Sequence, residues 1–301
     1  MKVHRNFEDF GKIANPVVTT GTFDGVHIGH KTILNRLNAL ARQVKGESVL
    51  ITFHPHPRKV LYPEKMADLK LINTQREKIH LLETTAIDHL FIIPFTLEFS
   101  RTTSREFVSD ILLGKLNAKV IIVGFNHHFG HNREGNYDYL YQLSKQKDFL
   151  VEEIPMQDIE NEAVSSTRIR KALSQGHIQR ANAYLDHFYI LMGNIQKTGS
   201  TPLNHKRGLR IMNIEEAEKL VPPDGTYAIS LMETNTRAMA VISRENKIPE
   251  LYIISIDSMD ELPDKSIATI AFHKKIRETE DINSLNQHIN TDIDTINELI
   301  F

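Results

Sequence analysis

Through the first 185 residues, short unbroken apolar runs take turns with longer segments whose apolar residues recur every three or four positions. The runs Pro16 to Thr20, Ser48 to Phe53, His89 to Pro94, Lys119 to Val123 and Leu150 to Ile154 are bounded by polar residues, glycine or proline, and predict strands. Ile33, Leu34, Leu37, Leu40 and Ala41 mark one face of a helix between the first two strands. Further helical stripes come from Ile79, Leu81 and Leu82, from Phe107, Ile111 and Leu112, and from Leu140 with Leu143. Strands that are apolar throughout are buried on both faces, so the pattern predicts an α/β domain with a doubly wound parallel sheet. Ligands of such sheets sit at the carboxyl ends of the strands.

Beyond Asp186 the pattern changes. Tyr227 to Met232, Ala238 to Ile242, Glu250 to Ile256 and Ile267 to Phe272 read as strands with turn residues and no helix between them, which predicts a small antiparallel barrel. Leu285, Ile289, Ile293 and Ile296 predict a terminal helix over Ile282 to Leu299. The expected domains are therefore 1–185 and 186–301.

Composition narrows the class. With 41% apolar and 25% charged residues the chain reads as an ordinary globular protein, and its net charge of -2 gives no global reason to expect nucleic acid or membrane as partner. The absence of cysteine excludes disulfides, thiolate chemistry and Cys-based zinc sites. No apolar run approaches a membrane span and Met1 to Asn15 has no signal-like apolar region, so a soluble cytoplasmic protein is expected.

The candidate chemistry begins where the first strand should turn into a helix, in Gly21-Thr22-Phe23-Asp24-Gly25-Val26-His27-Ile28-Gly29-His30. Glycines there let the backbone approach a ligand, and the helix that follows offers unpaired N–H groups and a positive dipole end. Two histidines three apart can both face that junction and bind phosphate oxygens. The same residues would also suit a pair of surface histidines after a glycine turn. A second anion site is read in Ser165-Ser166-Thr167-Arg168-Ile169-Arg170, where a Ser/Thr cluster caps a helix from about Thr167 to Leu173 and arginines supply bidentate phosphate contacts. On its own that string could equally be a helix cap with solvated arginines.

His27-Ile28-Gly29-His30 is the "HIGH" signature of the nucleotidylyltransferase superfamily, and Ser165 to Arg170 resembles its second motif. With Thr52 to Leu61, Val123 to Asn136 and Val164 to Leu185 in the same order, residues 1–185 resemble the bacterial FAD synthetases, the prokaryotic riboflavin kinase/FMN adenylyltransferase proteins. The resemblance implies a Rossmann-like fold and transfer of AMP from ATP to FMN, giving FAD and pyrophosphate with Mg²⁺ assistance. It puts ATP at Gly21, Thr22, Phe23, Asp24, His27, Gly29 and His30 and at Ser165, Ser166, Thr167 and Arg168. It puts the flavin ring at Phe53, His54, Pro55, His56 and Pro57, and a Mg²⁺ or phosphate contact at Asn126.

Two positions depart from the family pattern: Asn126 stands where Asp is common, and His128 where Arg or Lys is common. A transition-metal site at His127, His128 and His131 is the competing reading of that loop, and no second cluster supplies the rest of it.

The C-terminal part keeps landmarks of the family's riboflavin kinase barrel. Pro222-Pro223-Asp224-Gly225-Thr226-Tyr227-Ala228 and Leu285-Asn286-Gln287-His288-Ile289 are retained, and Glu250 stands at the position of the kinase base. The family's "Gly-x-Pro-Thr-Ala-Asn" motif is not found; Gly199 to Asn204 and Gly208 to Asn213 are the nearest strings. The expectation is an FMN adenylyltransferase with a vestigial kinase module. A bifunctional enzyme and a non-catalytic flavin or nucleotide sensor are the alternatives.

Overall fold

A computed structural model of the chain describes residues 1–8, 10–125, 127–155, 158–159, 162–197, 209–214, 216–245, 248–256, 266–278 and 282–299. The chain forms two compact units, one of residues 1–69 and 78–164, the other of residues 70–77 and 165–301.

In chain order the first unit contains β1 (Lys2–His4), β2 (Val17–Thr20), α1 (Ile28–Gln43), β3 (Ser48–His54) and α2 (Pro57–Leu61). Next comes α3 (Gln75–Glu83), which starts in the segment grouped with the second unit; β4 (His89–Pro94) and α4 (Ser104–Glu106) follow. The unit closes with β5 (Val120–Gly124), α5 (Tyr137–Ser144), β6 (Leu150–Ile154) and a small hairpin of β7 (Asp158–Ile159) and β8 (Glu162–Ala163). The chain runs from α4 straight into π-helical turns over Phe107–Lys115, where the Leu116 amide donates five residues back to the Ile111 carbonyl at 3.0 Å.

Six strands make a parallel sheet in the order β1-β4-β3-β2-β5-β6, and five of them, β2 to β6, fall on the apolar runs. β2, β3, β4 and β5 are buried almost throughout because helices cover both faces. β1 escapes the sequence pattern, since a three-residue edge strand has too few apolar positions to register. The connections leave β2 in one direction through β3 and β4, then return to β5 on its other side. The β2/β5 boundary is thus the switch point of the sheet, and the loops leaving those two strands flank it. The Thr19 hydroxyl ties the strands together there by donating to the Ile122 carbonyl at 2.9 Å.

The second unit comprises α6 (Ser166–Ser174), α7 (Ile178–Leu185), β9 (Tyr189–Lys197), β10 (Leu209–Asn213), β11 (Gly225–Leu231), β12 (Thr236–Glu245), β13 (Ile248–Ser255), β14 (Ser266–Glu278) and α8 (Ile282–Leu299). The strands close into an antiparallel barrel in the order β10-β13-β12-β11-β14-β9. Ile289, Ile293 and Ile296 of α8 pack on Ala228, Met239, Val241, Tyr252 and Ile254. β9 and β10 are strands that the apolar pattern misses: Gly193 and Asn194 interrupt the first, and buried Arg210 breaks the second. Gly193 has a packing reason, because a Cβ there would lie 2.5 Å from the Asn213 carbonyl on β10.

Candidate functional site

His27 is the N-cap of α1 rather than a member of its first turn. Its backbone is extended (φ -71°, ψ 173°), and its Nδ1 accepts from the His30 amide at 3.4 Å. That acceptor role puts the proton of the neutral ring on Nε2, away from the helix. The His30 ring stacks on His27, centroids 3.6 Å apart and planes 16° from parallel, while Phe23 leans on His30 from 4.6 Å. Burial holds the His30 pKa well below the ordinary value, with the neighbouring His27 ring and Lys78 ammonium adding to the effect, so His30 is neutral near pH 7. Its Nδ1 is buried with no hydrogen-bond partner among the described residues. A buried imidazole nitrogen without a partner beside a helix N-terminus keeps its hydrogen-bonding capacity for an added polar group.

The loop between β2 and α1 is held in an unusual shape. Phe23, Gly25 and Val26 all take positive φ (48°, 96° and 42°), and Phe23, Asp24, Gly25, Val26 and His27 are buried. A β-branched valine in that region is strained, so the surroundings must hold it there. The Val26 amide closes a turn on the Phe23 carbonyl at 3.3 Å. At the other end the Thr22 carbonyl receives two donors, the Thr52 hydroxyl at 3.1 Å and the Lys78 ammonium at 2.8 Å. Neither donor stands out in the sequence: Thr52 reads as a strand residue and Lys78 as one of many surface lysines.

The chain leaving β3 places Phe53 and His54 at the end of the strand and Pro57 at the first position of α2. Phe53 belongs to an aromatic group with Phe95 and Phe99 at centroid distances of 5.6 and 5.7 Å. His56 is buried and caps α2, its Nδ1 accepting from the Arg58 amide at 3.2 Å, whereas His54 and Pro55 are exposed. Of the two histidines expected at a flavin, His56 has a structural task and His54 presents its ring outward.

The loop after β5 folds back on itself through paired hydrogen bonds between Phe129 and Gly135, both at 3.0 Å. Gly130 is required here: its φ is +75°, and a Cβ would lie 2.5 Å from the Ser104 backbone nitrogen. The three histidines of the loop point to separate tasks. His128 donates from Nδ1 to the Arg133 carbonyl at 3.2 Å, and His131 from Nδ1 to the Ser100 carbonyl at 3.1 Å. His127 stacks beside Phe129, its Nε2 without a hydrogen-bond partner among the described residues, and burial pushes its pKa down to about 4. Among the described residues no three His, Asp or Glu side chains gather as a metal site. Asn126 lies outside the described residues.

In the second unit Ser165 is the N-cap of α6, extended at φ -153° and ψ 152°, with its hydroxyl accepting from the Arg168 amide at 3.4 Å. Thr167 and Arg168 are exposed and Ser166 half-buried at the open end of the helix; Ile169, Ala172 and Leu173 bury its other face. The Arg170 Nε donates to the Lys70 carbonyl at 3.0 Å. The cap and the exposed Thr and Arg leave the helix N-terminus fit for an anion. On β13, Glu250 is half-buried and accepts from the Tyr252 hydroxyl at 2.6 Å. The strings nearest to the absent kinase motif fall on residues 199–208, outside the described residues, and on β10.

Residues 11–168, more than half of the chain, match the family model of FAD synthetase. The chain belongs to the FAD synthetase family. An FAD synthetase from Listeria monocytogenes is 33% identical over 75% of this chain and 86% of its own length. A bifunctional riboflavin kinase/FMN adenylyltransferase from Buchnera aphidicola, of the Acyrthosiphon pisum subspecies, is 29% identical over 92% of this chain and 90% of its own length. A crystal structure of a Streptococcus pneumoniae protein described as a macrolide-efflux protein superposes with a TM-score of 0.82 over 99% of this chain and 98% of that one. At 22% identity that likeness establishes the fold alone. Among the described residues no helix is long and apolar enough to cross a membrane.

Proposed function

We propose that this member of the FAD synthetase family is an FMN adenylyltransferase. The FMN phosphate attacks the α-phosphorus of ATP, the bond to the β-phosphate breaks, and FAD and pyrophosphate leave. The observation that carries the reading is the stacked pair of His27 and His30, the latter held neutral by burial, at the N-terminus of α1, beside the switch point of a parallel sheet. Neutral imidazoles and helix N–H groups donate to phosphate oxygens and stabilise charge on the departing pyrophosphate. No protein nucleophile is needed, because the transfer depends on holding the two phosphates in line.

In this reading Gly21, Thr22, Phe23, Asp24 and Gly29 line the nucleotide with the two histidines, and Ser165, Ser166, Thr167 and Arg168 are proposed as a nucleotide-phosphate contact of the second unit. Phe53 to Pro57 receive the flavin, with His54 the exposed ring of that stretch. Bound to the triphosphate, Mg²⁺ would screen its charge. Asn126 is the proposed protein contact for that ion. The adenylyl-transfer function is assigned to residues 1–185 and a riboflavin kinase-like module to 186–301, with the protein in the cytoplasm.

The kinase activity is proposed to be lost. Without the Pro-Thr-Ala-Asn string nothing in the sequence supplies the hydroxyl and amide that hold Mg²⁺ on the transferred phosphate, although Glu250 remains as a base. The full chain, given ATP and Mg²⁺ with riboflavin or with FMN, should convert only FMN, and chromatography of the flavins reads the outcome. FMN formed from riboflavin would make the chain bifunctional, and no FAD from FMN would remove the enzyme reading.

A further inference from the structure

His4 of β1, His89 of β4 and Glu47, the residue before β3, form a hydrogen-bonded row inside the first unit. The His4 Nε2 lies 2.9 Å from the His89 Nδ1, and the His89 Nε2 lies 3.3 Å from one Glu47 oxygen. The other Glu47 oxygen accepts from the Ala14 amide at 2.7 Å; that bond first, and His89 beside it, hold the carboxyl below its ordinary range. An ionised Glu47 draws the ring proton of neutral His89 to Nε2. His89 is buried, and half-buried His4 stacks on the fully buried Phe91 with centroids 4.5 Å apart. β1 is an edge strand of three residues that pairs with β4 alone, and the row is a side-chain tie between the two.

Between the facing nitrogens of His4 and His89 there is room for one proton. With His89 protonated on Nε2, its Nδ1 accepts and the His4 Nε2 donates. A first added proton goes to the His4 Nδ1 and leaves this bond in place. A second must go to the His89 Nδ1, where it meets the His4 N–H across 2.9 Å and sets two imidazolium charges face to face. Burial holds the His4 pKa below the ordinary value, with His89 and then Lys2 adding to the effect. Among the described residues Asp88 is the other charge acting on the row, through Glu47, and its carboxylate accepts from the Ser48 amide and hydroxyl at 2.8 and 2.9 Å. The chain after β1 faces His4 with the uncharged ring of Phe10.

We propose that the row is a proton-operated clasp on the edge of the sheet: β1 stays on β4 while the two rings share at most one added proton, and the second proton releases it. Once released, both rings ionise as ordinary histidines, so each unit fall in pH favours the open form up to about tenfold. Opening bares Phe91 and the backbone edge of β4, an unpaired edge of the kind another strand can join. The clasp sits at the amino ends of β3 and β4, away from the carboxyl ends where ligands of such sheets bind, and does not depend on adenylyl transfer.

The test is hydrogen exchange of the full chain, wild type and His4→Phe, with the amide protection of β1 taken relative to that of β3 at each pH. Between about pH 7 and about pH 5 the wild-type ratio should fall at least about tenfold, the linkage of one proton. His4→Phe keeps a ring on Phe91 without the second proton site, so its ratio should change less than about threefold over the same range. A smaller fall in the wild type, or an equal fall in His4→Phe, overturns the clasp. Ring nitrogen shifts of the wild-type histidines need no variant to fold. The His4–His89 hydrogen bond should vanish at the pH at which β1 loses protection, and a bond that outlasts that protection, or protection that outlasts the bond, overturns the clasp as well.

Discussion

His27 and His30 lie ring on ring with centroids 3.6 Å apart, and Nδ1 of the first accepts a hydrogen bond from the backbone N–H of the second. A single contact thereby caps the helix, fixes which nitrogen of His27 carries the proton, and lines up both rings at the helix N-terminus. His27→Ala should lose the cap, about 1 kcal/mol of stability, and slow FAD formation at least about 100-fold. His30→Ala should show the same catalytic loss with a smaller effect on stability, because the His30 Nδ1 has no protein partner to lose among the described residues. Steady-state rates beside thermal unfolding check both, and full activity in either variant contradicts the phosphate role.

His127 gives the stability of the fold a pH dependence. Its pKa in the folded chain is about 4, below the ordinary 6.5, so as pH falls the unfolded chain takes up this proton first. The contribution is complete above about pH 6.5 and is lost between there and about pH 4; buried His30 acts in the same direction. His127→Phe should flatten the fall in unfolding free energy across that window by up to one proton's worth of slope. Denaturant titrations from pH 7 to pH 4 that superimpose for the two proteins would contradict it.

The same loop depends on Gly130. Gly130→Ala places a Cβ 2.5 Å from the Ser104 backbone nitrogen at a φ of +75°, so both a clash and backbone strain oppose it. A loss of about 1–3 kcal/mol is expected in denaturant unfolding. An alanine variant as stable as wild type would show that the loop is free to move away from Ser104.

In the second unit Glu77 and Lys219 form an ion pair with both side chains fully buried. Each is satisfied further: the Met192 and Thr74 amides donate to the carboxylate, and the ammonium donates to the carbonyls of Ile72 and Ile190. Lys219→Met leaves a buried carboxylate without its cation and should cost about 3–5 kcal/mol. Adding Glu77→Gln should return part of that loss, and a double-mutant cycle in denaturant measures the coupling. A single variant that costs under about 1 kcal/mol contradicts the pairing.

The sequence made the central strands of the sheet legible because they are apolar without interruption, and the terminal helix because its isoleucines keep helical spacing. Arg210 hid β10, since a buried arginine breaks the pattern from which strands are read. The site divided in the same way. Glycine and histidine at a strand-to-helix junction announce themselves, so His27 and His30 could be read as candidates. Lys78 could not, because a lysine on a helix becomes informative only once the fold buries it against the Thr22 carbonyl. The capping role of His56 on α2 was equally hidden, since its string reads only as a Pro-flanked turn.

The central claim is transfer of the adenylyl group, and the fate of the phosphates tests it most directly. With FMN, Mg²⁺ and ATP labelled at the α-phosphate, the label should enter FAD; with ATP labelled at the γ-phosphate, it should leave only as pyrophosphate. An α-label that never reaches a flavin, or a γ-label that does, would contradict the account.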